Sequence, residues 1–206
     1  FIGATTLVAV FGVKKGIENV SKVLMPILAI LSVAIAIYSL TLDGAKAGLV
    51  YYLKPDFSHF TGETLIAALG QLFYSTSIAM GIMITFGSYM RKEDNMVSAV
   101  GQIQIFDTAI AFISGLMIIP AVFAFSGGDK AALNSGPSLM FKTMPKIFGS
   151  SNLIGGLFFL LVLFAALTSS ISIMEVVVSG LSDKLKWSRK KSCLITAMIA
   201  ILLGVP

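Results

Sequence analysis

Three groups of polar residues stand where an otherwise apolar chain has no routine use for them. The first is Tyr74-Ser75-Thr76-Ser77, followed by Ile78-Ala79-Met80-Gly81, in the middle of the uncharged stretch Thr64–Met90. The second is Asp107, the one charge within Met96–Ser126. The third is Thr168-Ser169-Ser170, with Ala165 one helical turn before it. Neutral hydroxyls, freed backbone carbonyls and a single carboxylate are hard oxygen ligands, which suit a monovalent cation such as sodium better than a soft metal. An acid at mid-membrane depth is costly to bury and marks function by default. Plainer readings exist for each group. Ser and Thr bond back to their own helix carbonyls, a protonated Asp107 bonds Gln104 or backbone, and small residues at 168–170 pack helix against helix.

The elements that hold these groups are membrane helices. Apolar residues make up 56% of the 206 and charged residues only 12%, the composition of an all-α, multi-span membrane protein. In hydrocarbon every backbone N–H and C=O needs a partner, so irregular backbone survives only buried in protein or lining a wet cavity. Ser75–Gly81 therefore reads as a deliberate break in a spanning helix. The net charge of +5 does not point to nucleic acid, because basic residues collect beside membrane spans. Cys193 is the only cysteine, which excludes an intrachain disulfide and a thiolate metal site. His59 has no partner in view, which weakens an intramembrane protease reading. No enzyme motif and no organic cofactor site are visible.

Taken in order, Phe1–Val13 is apolar but too short to span, and the chain reads as an internal piece of a longer protein. Val23–Leu42 is a span whose start Gly16 and Pro26 would let unwind or kink. Asp43–Gly62 reads as a polar loop, and Ser126–Gly149 as a loop that folds back through Leu139, Met140, Phe141, Ile147 and Phe148. The next apolar stretch is Ile147–Ser182, with Glu175 its only charge. Glu175 either faces an inner water-filled vestibule or snorkels to the interface, and Asp183 sits at the membrane edge. A last span begins near Ser192. Ten of the fifteen basic residues, from Lys14 and Lys15 through Arg91 and Lys92 to the run 184–191, fall on one side, which the positive-inside rule makes cytoplasmic.

GQLFYSTSIAMGIMITFGSYMRKEDN resembles the sixth transmembrane segment of the neurotransmitter:sodium symporter family, bacterial branch. LFAALTSSISIMEV resembles the eighth, and KKGIENVSKVLMP the connection from the fourth to the fifth. PDFS at Pro55–Ser58 and GPSLMFKTMPKIF resemble stretches of the family's extracellular side. The resemblance runs through essentially the whole chain. It implies a fragment of a leucine-transporter-type inverted-repeat bundle, a single transmembrane domain over 1–206. The family segments would be the end of four (1–13), five (17–42), six (63–90, broken near 75–81), seven (95–126), an extracellular loop with short helices (127–149), eight (150–184) and the start of nine (188–206).

By position, the resemblance implies a first sodium site using Ser75 and Asp107, and a second using the Ala165 backbone with Thr168 and Ser169. The substrate pocket would be lined by Tyr74, Ser75, Ser77, Ala79, Met80, Ser169 and Ile173. Gln71, Ser75, Asp107 and Ala111 would surround the family's anion site, and Asp183 would be the acid of a cytoplasmic gate. Two departures stand out: Asp107 occupies a position that is often asparagine, and Ala111 replaces a serine or glutamate. Met80, where an aromatic is common, leaves the pocket's size preference open. The implied function is sodium-coupled symport of an amino acid or similar zwitterion across the plasma (inner) membrane by alternating access. The implied partners are sodium, the small substrate and the lipid bilayer. A same-fold sensor that binds without transporting, and an ion channel, remain alternatives, and the oligomeric state is open.

Overall fold

The computed structural model describes residues 1–128, 139, 141, 144–149 and 151–204. Helices run over Ile2–Val10 (α1), Asn19–Leu40 (α2), Ala45–Leu53 (α3), Gly62–Ser75 (α4), Ile82–Gly87 (α5), Met96–Ser126 (α6), Met144–Phe148 (α7), Asn152–Leu185 (α8) and Arg189–Gly204 (α9). A π-helical turn, Val13–Glu18, leads into α2, and a short 3-10 turn covers Phe57–His59. No strand occurs among the described residues. Val13–Leu40, Met96–Ser126 and Asn152–Leu185 are each long and apolar enough to cross a membrane. At about 1.5 Å per residue, their lengths exceed a hydrocarbon core of roughly 30 Å. Neither α4 nor α5 reaches that length alone, because the helix between them is broken.

The structure corrects one sequence expectation and narrows others. Asp43–Gly62 is not simply a polar loop: AKAGLVYYL forms α3. The unwinding expected of Gly16 and Pro26 falls at Gly16, while α2 stays helical through Pro26. The irregularity lies earlier, in the wide turn 13–18, where Gly16 is buried against α1. A Cβ at Gly16 would overlap the Val8 carbonyl oxygen, so only glycine lets the chain pass this close. The apolar stretch from Ile147 is divided, with α7 ending at Phe148 and α8 starting at Asn152. The final helix starts at Arg189, slightly before Ser192.

Contacts divide the chain into two compact units. Unit 1 comprises residues 1–26, 67–99 and 164–206. Its core is Ala9 of α1, Met174 and Val178 of α8, and Cys193 and Ala197 of α9. Between apolar helices in lipid the hydrophobic effect supplies little, so close packing and interhelical hydrogen bonds must do the holding. Unit 1 has both. The Thr5 and Ser170 hydroxyls are 2.9 Å apart, joining α1 to α8, and the Ser182 hydroxyl donates to Ser192 at 3.0 Å, joining α8 to α9.

Unit 2 comprises residues 27–66 and 100–163. Its core gathers Ile35 of α2, Met117, Ala121 and Val122 of α6, Met144, Ile147 and Phe148 of α7, and Phe158 and Leu161 of α8. Phe148 and Phe158 are fully buried with ring centroids 5.1 Å apart. Ile147 and Phe148 thus fold back onto the unit as expected, with Leu139 packed against the same core. Phe141 is exposed. Met140 and Gly136-Pro137 lie outside the described residues. Helix α3 packs on α6 through glycines. A Cβ at Gly48 would stand 2.7 Å from Pro120 Cα, and one at Gly115 would overlap the Tyr52 phenol.

Candidate functional site

Helix α4 stops at Ser75, and α5 restarts at Ile82. Between them the backbone turns through two left-handed residues, Ser77 at φ 59° and Gly81 at φ 71°. The Ser77 N–H donates to the Tyr74 carbonyl at 3.0 Å, and the Gly81 N–H to the Ile78 carbonyl at 3.2 Å. The Thr76 hydroxyl is taken up by the Leu72 carbonyl at 2.6 Å. Thr76 thus back-bonds to its own helix, as the plainer reading expects, but the helix is nonetheless broken. Gln71, Tyr74, Ser75 and Ala79 are exposed in unit 1, while Ser77 and Met80 are half-buried.

The break runs beside α8 within unit 1, where a Cβ at Gly81 would lie 3.8 Å from Val176 Cγ1. About two turns toward the N-terminus, α8 carries the third polar group. Thr168 is buried, and its hydroxyl donates to the carbonyls of Phe164 (3.1 Å) and Ala165 (3.0 Å). Thr168 Oγ1 and Ala165 O, two of the three oxygens that the resemblance implies for the second sodium site, are therefore adjacent. A hydroxyl in that bond can turn its proton aside and accept a cation with a lone pair. Ser169 and Ile173, on the same helix, are exposed. Asp107 and Ala111 lie one turn apart on α6 in unit 2, with Asp107 half-buried.

Glu175 corrects its sequence reading, because it neither snorkels nor faces water. It is 0% exposed and is held by two side chains through three hydrogen bonds. Arg189 Nη1 donates to Oε1 at 3.0 Å and Nη2 to Oε2 at 2.5 Å, a bidentate pair, while the Tyr89 hydroxyl donates to Oε1 at 2.7 Å. Arg189 Nε donates in turn to the Ala9 carbonyl at 2.8 Å, near the end of α1. One carboxylate thus ties the segment after α5 to α8, α9 and α1. The planar five-donor fork of arginine makes this possible, since a lysine presents no such fork. Sequence reading missed Tyr89 and Arg189. The available signal was a lone acid deep in an apolar helix, with a basic run beginning nine residues on. Asp183, two turns farther along α8, is exposed.

The model of the sodium:neurotransmitter symporter family matches residues 1–206. An uncharacterized sodium-dependent transporter of Haemophilus influenzae is 38% identical over 209 residues, covering 99% of this chain and 44% of that protein. The uncharacterized sodium-dependent transporter YhdH of Bacillus subtilis is 36% identical over 211 residues, covering 100% of this chain and 46% of the other. The crystal structure of MhsT in complex with L-phenylalanine superposes with a TM-score of 0.85 at 42% identity, over 100% of this chain and 47% of that one. The chain therefore spans less than half the length of the relatives it matches, and its fold is part of the leucine-transporter type with a broken sixth helix. With the family pattern matched from end to end, the chain belongs to the sodium:neurotransmitter symporter family.

Proposed function

We propose that this chain forms part of a plasma-membrane symporter that couples sodium entry to uptake of a small zwitterion, an amino acid, by alternating access. The observation that carries the reading is the helix break at Ser75–Gly81 running beside α8, within one packed unit that also holds Thr168 and Ala165. Discontinuous helices are how transporters offer backbone groups to ions and substrate at mid-membrane.

In this reading Ala165 O, Thr168 and Ser169 hold one sodium ion, and Ser75 and Asp107 contribute to another. Tyr74, Ser75, Ser77, Ala79, Met80, Ser169 and Ile173 line the substrate pocket, and Asp183 acts at the cytoplasmic gate. A sodium ion close to a substrate carboxylate strengthens its binding, and the substrate strengthens sodium binding by the same factor. That reciprocity lets the ion gradient drive accumulation. The MhsT complex with L-phenylalanine supports an amino-acid substrate. Position 111 is alanine, with no group to bind or replace an anion, so Asp107 supplies the compensating negative charge and makes transport independent of chloride.

The test is uptake of labelled amino acids by the full-length protein in proteoliposomes under imposed sodium gradients. Accumulation that requires inward sodium and is lost in Thr168→Ala supports the reading. Binding without accumulation would identify a sensor, and current without substrate would identify a channel. Either result overturns it.

A further inference from the structure

The ion pair at Glu175 does more than fill a core, because it gathers three basic segments of unit 1. The turn 13–18 is brought to the start of α9 by the Arg189 bond to the Ala9 carbonyl, and a Cβ at Gly12 would stand 3.8 Å from Arg189 Nε. The segment 89–94 is brought to the same place by the Tyr89 hydroxyl on Glu175. The corner 183–191 carries Arg189 itself. Apart from Arg189, these segments hold eight Lys or Arg side chains against four carboxylates, all exposed. Glu18 is already paired at 2.7 Å with Lys22, which lies outside the counted segments. The excess of cations is therefore larger than the count suggests.

Each segment adjoins the end of a helix long and apolar enough to span, which puts the cluster at the depth of lipid headgroups. Trp187 is half-buried in the corner with Lys191 Nζ 4.4 Å above its ring, an aromatic at the level where membrane proteins place interfacial anchors. Orientation in the membrane needs basic residues on one side, but it does not need them drawn together. Drawing them together accumulates repulsion that an anionic surface relieves.

We propose that this three-segment cluster binds the phosphates of anionic phospholipids. The proposal rests on the membrane reading of the helices and not on transport. Every cation involved is outside the groups assigned to sodium or substrate.

The experiment uses the full-length protein in nanodiscs and measures association of spin-labelled phosphatidylglycerol against spin-labelled phosphatidylcholine. The expected result is a preference for phosphatidylglycerol that the quadruple variant Lys14→Gln, Lys15→Gln, Lys190→Gln, Lys191→Gln reduces by about fivefold or more. It should also collapse at about 1 M salt, where the Debye length is about 3 Å. The control Lys46→Gln with Lys54→Gln, in unit 2, should leave it unchanged. If the quadruple variant does not fold, the Lys14→Gln, Lys15→Gln pair is read instead, with a smaller loss in the same direction. An unchanged preference in the variants, an equal loss in the control, or complete displacement of the lipid by inorganic phosphate would each overturn the proposal.

Discussion

Removing Arg189 and removing the charge of Glu175 should have very different costs, though both break the same pair. Arg189→Ala leaves a carboxylate that is 0% exposed with only the Tyr89 hydroxyl on it. Orphaning one partner of a buried pair costs about 3–5 kcal/mol, because the remaining charge keeps its desolvation penalty. The lost bond to the Ala9 carbonyl adds about 1 kcal/mol. In Glu175→Gln nothing charged is left buried without a route to water. The Arg189 side chain is 30% exposed and can swing outward while keeping the Ala9 carbonyl, and the new amide oxygen at position 175 still accepts from Tyr89. That change should cost about 1–2 kcal/mol. The double variant should then be more stable than Arg189→Ala alone, with a coupling of about 2 kcal/mol or more between the two changes. The assay is equilibrium unfolding of the full-length protein and its three variants in mixed micelles. Equal costs for the two single changes, or costs that simply add in the double, would refute the claim that Glu175 is buried as a charge held by Arg189.

Gly48→Ala should destabilise the protein by about 1–3 kcal/mol through overpacking, since its Cβ would meet backbone at Pro120 and Ile119 closer than about 3 Å. The same unfolding measurement reads it. Sodium-driven uptake should survive replacement of chloride by gluconate, and Asp107→Asn should either abolish uptake or make it require chloride. Unaltered, chloride-insensitive uptake in that variant would remove Asp107 from the charge balance.

Several features of this site were legible because they break a rule of the bilayer. Three adjacent hydroxyls and a glycine have no place in an uncharged 27-residue run, and the backbone does break there. Other features were hidden because their cause is tertiary. Nothing in the run from Lys184 to Lys191 marks Arg189 as the residue that turns inward, since only the fold brings it to Glu175. Helix α3 was masked by the polar residues on both sides of it, while its reason for existing, a glycine face against α6, lies far along the chain. Pro26 drew attention as a breaker, yet α2 passes through it. Gly16 gave the better clue, through a close approach to Val8 that no local pattern encodes.

The backbone at Ser77 also bears on how this position can drift. An L-residue in the left-handed region costs about 1–2 kcal/mol relative to the ordinary helical region, a penalty that glycine escapes. If fold stability were the only pressure, substitution at position 77 would favour glycine, as Gly81 illustrates one turn later at nearly the same φ. If Ser77 lines the substrate pocket as proposed, its hydroxyl returns through binding what the backbone loses, and stability is not what the position optimises. Among variants ranked separately by robustness and by activity, Ser77→Gly belongs near opposite ends of the two orders. A position of that kind limits how far the parent protein can be made thermostable without loss of activity.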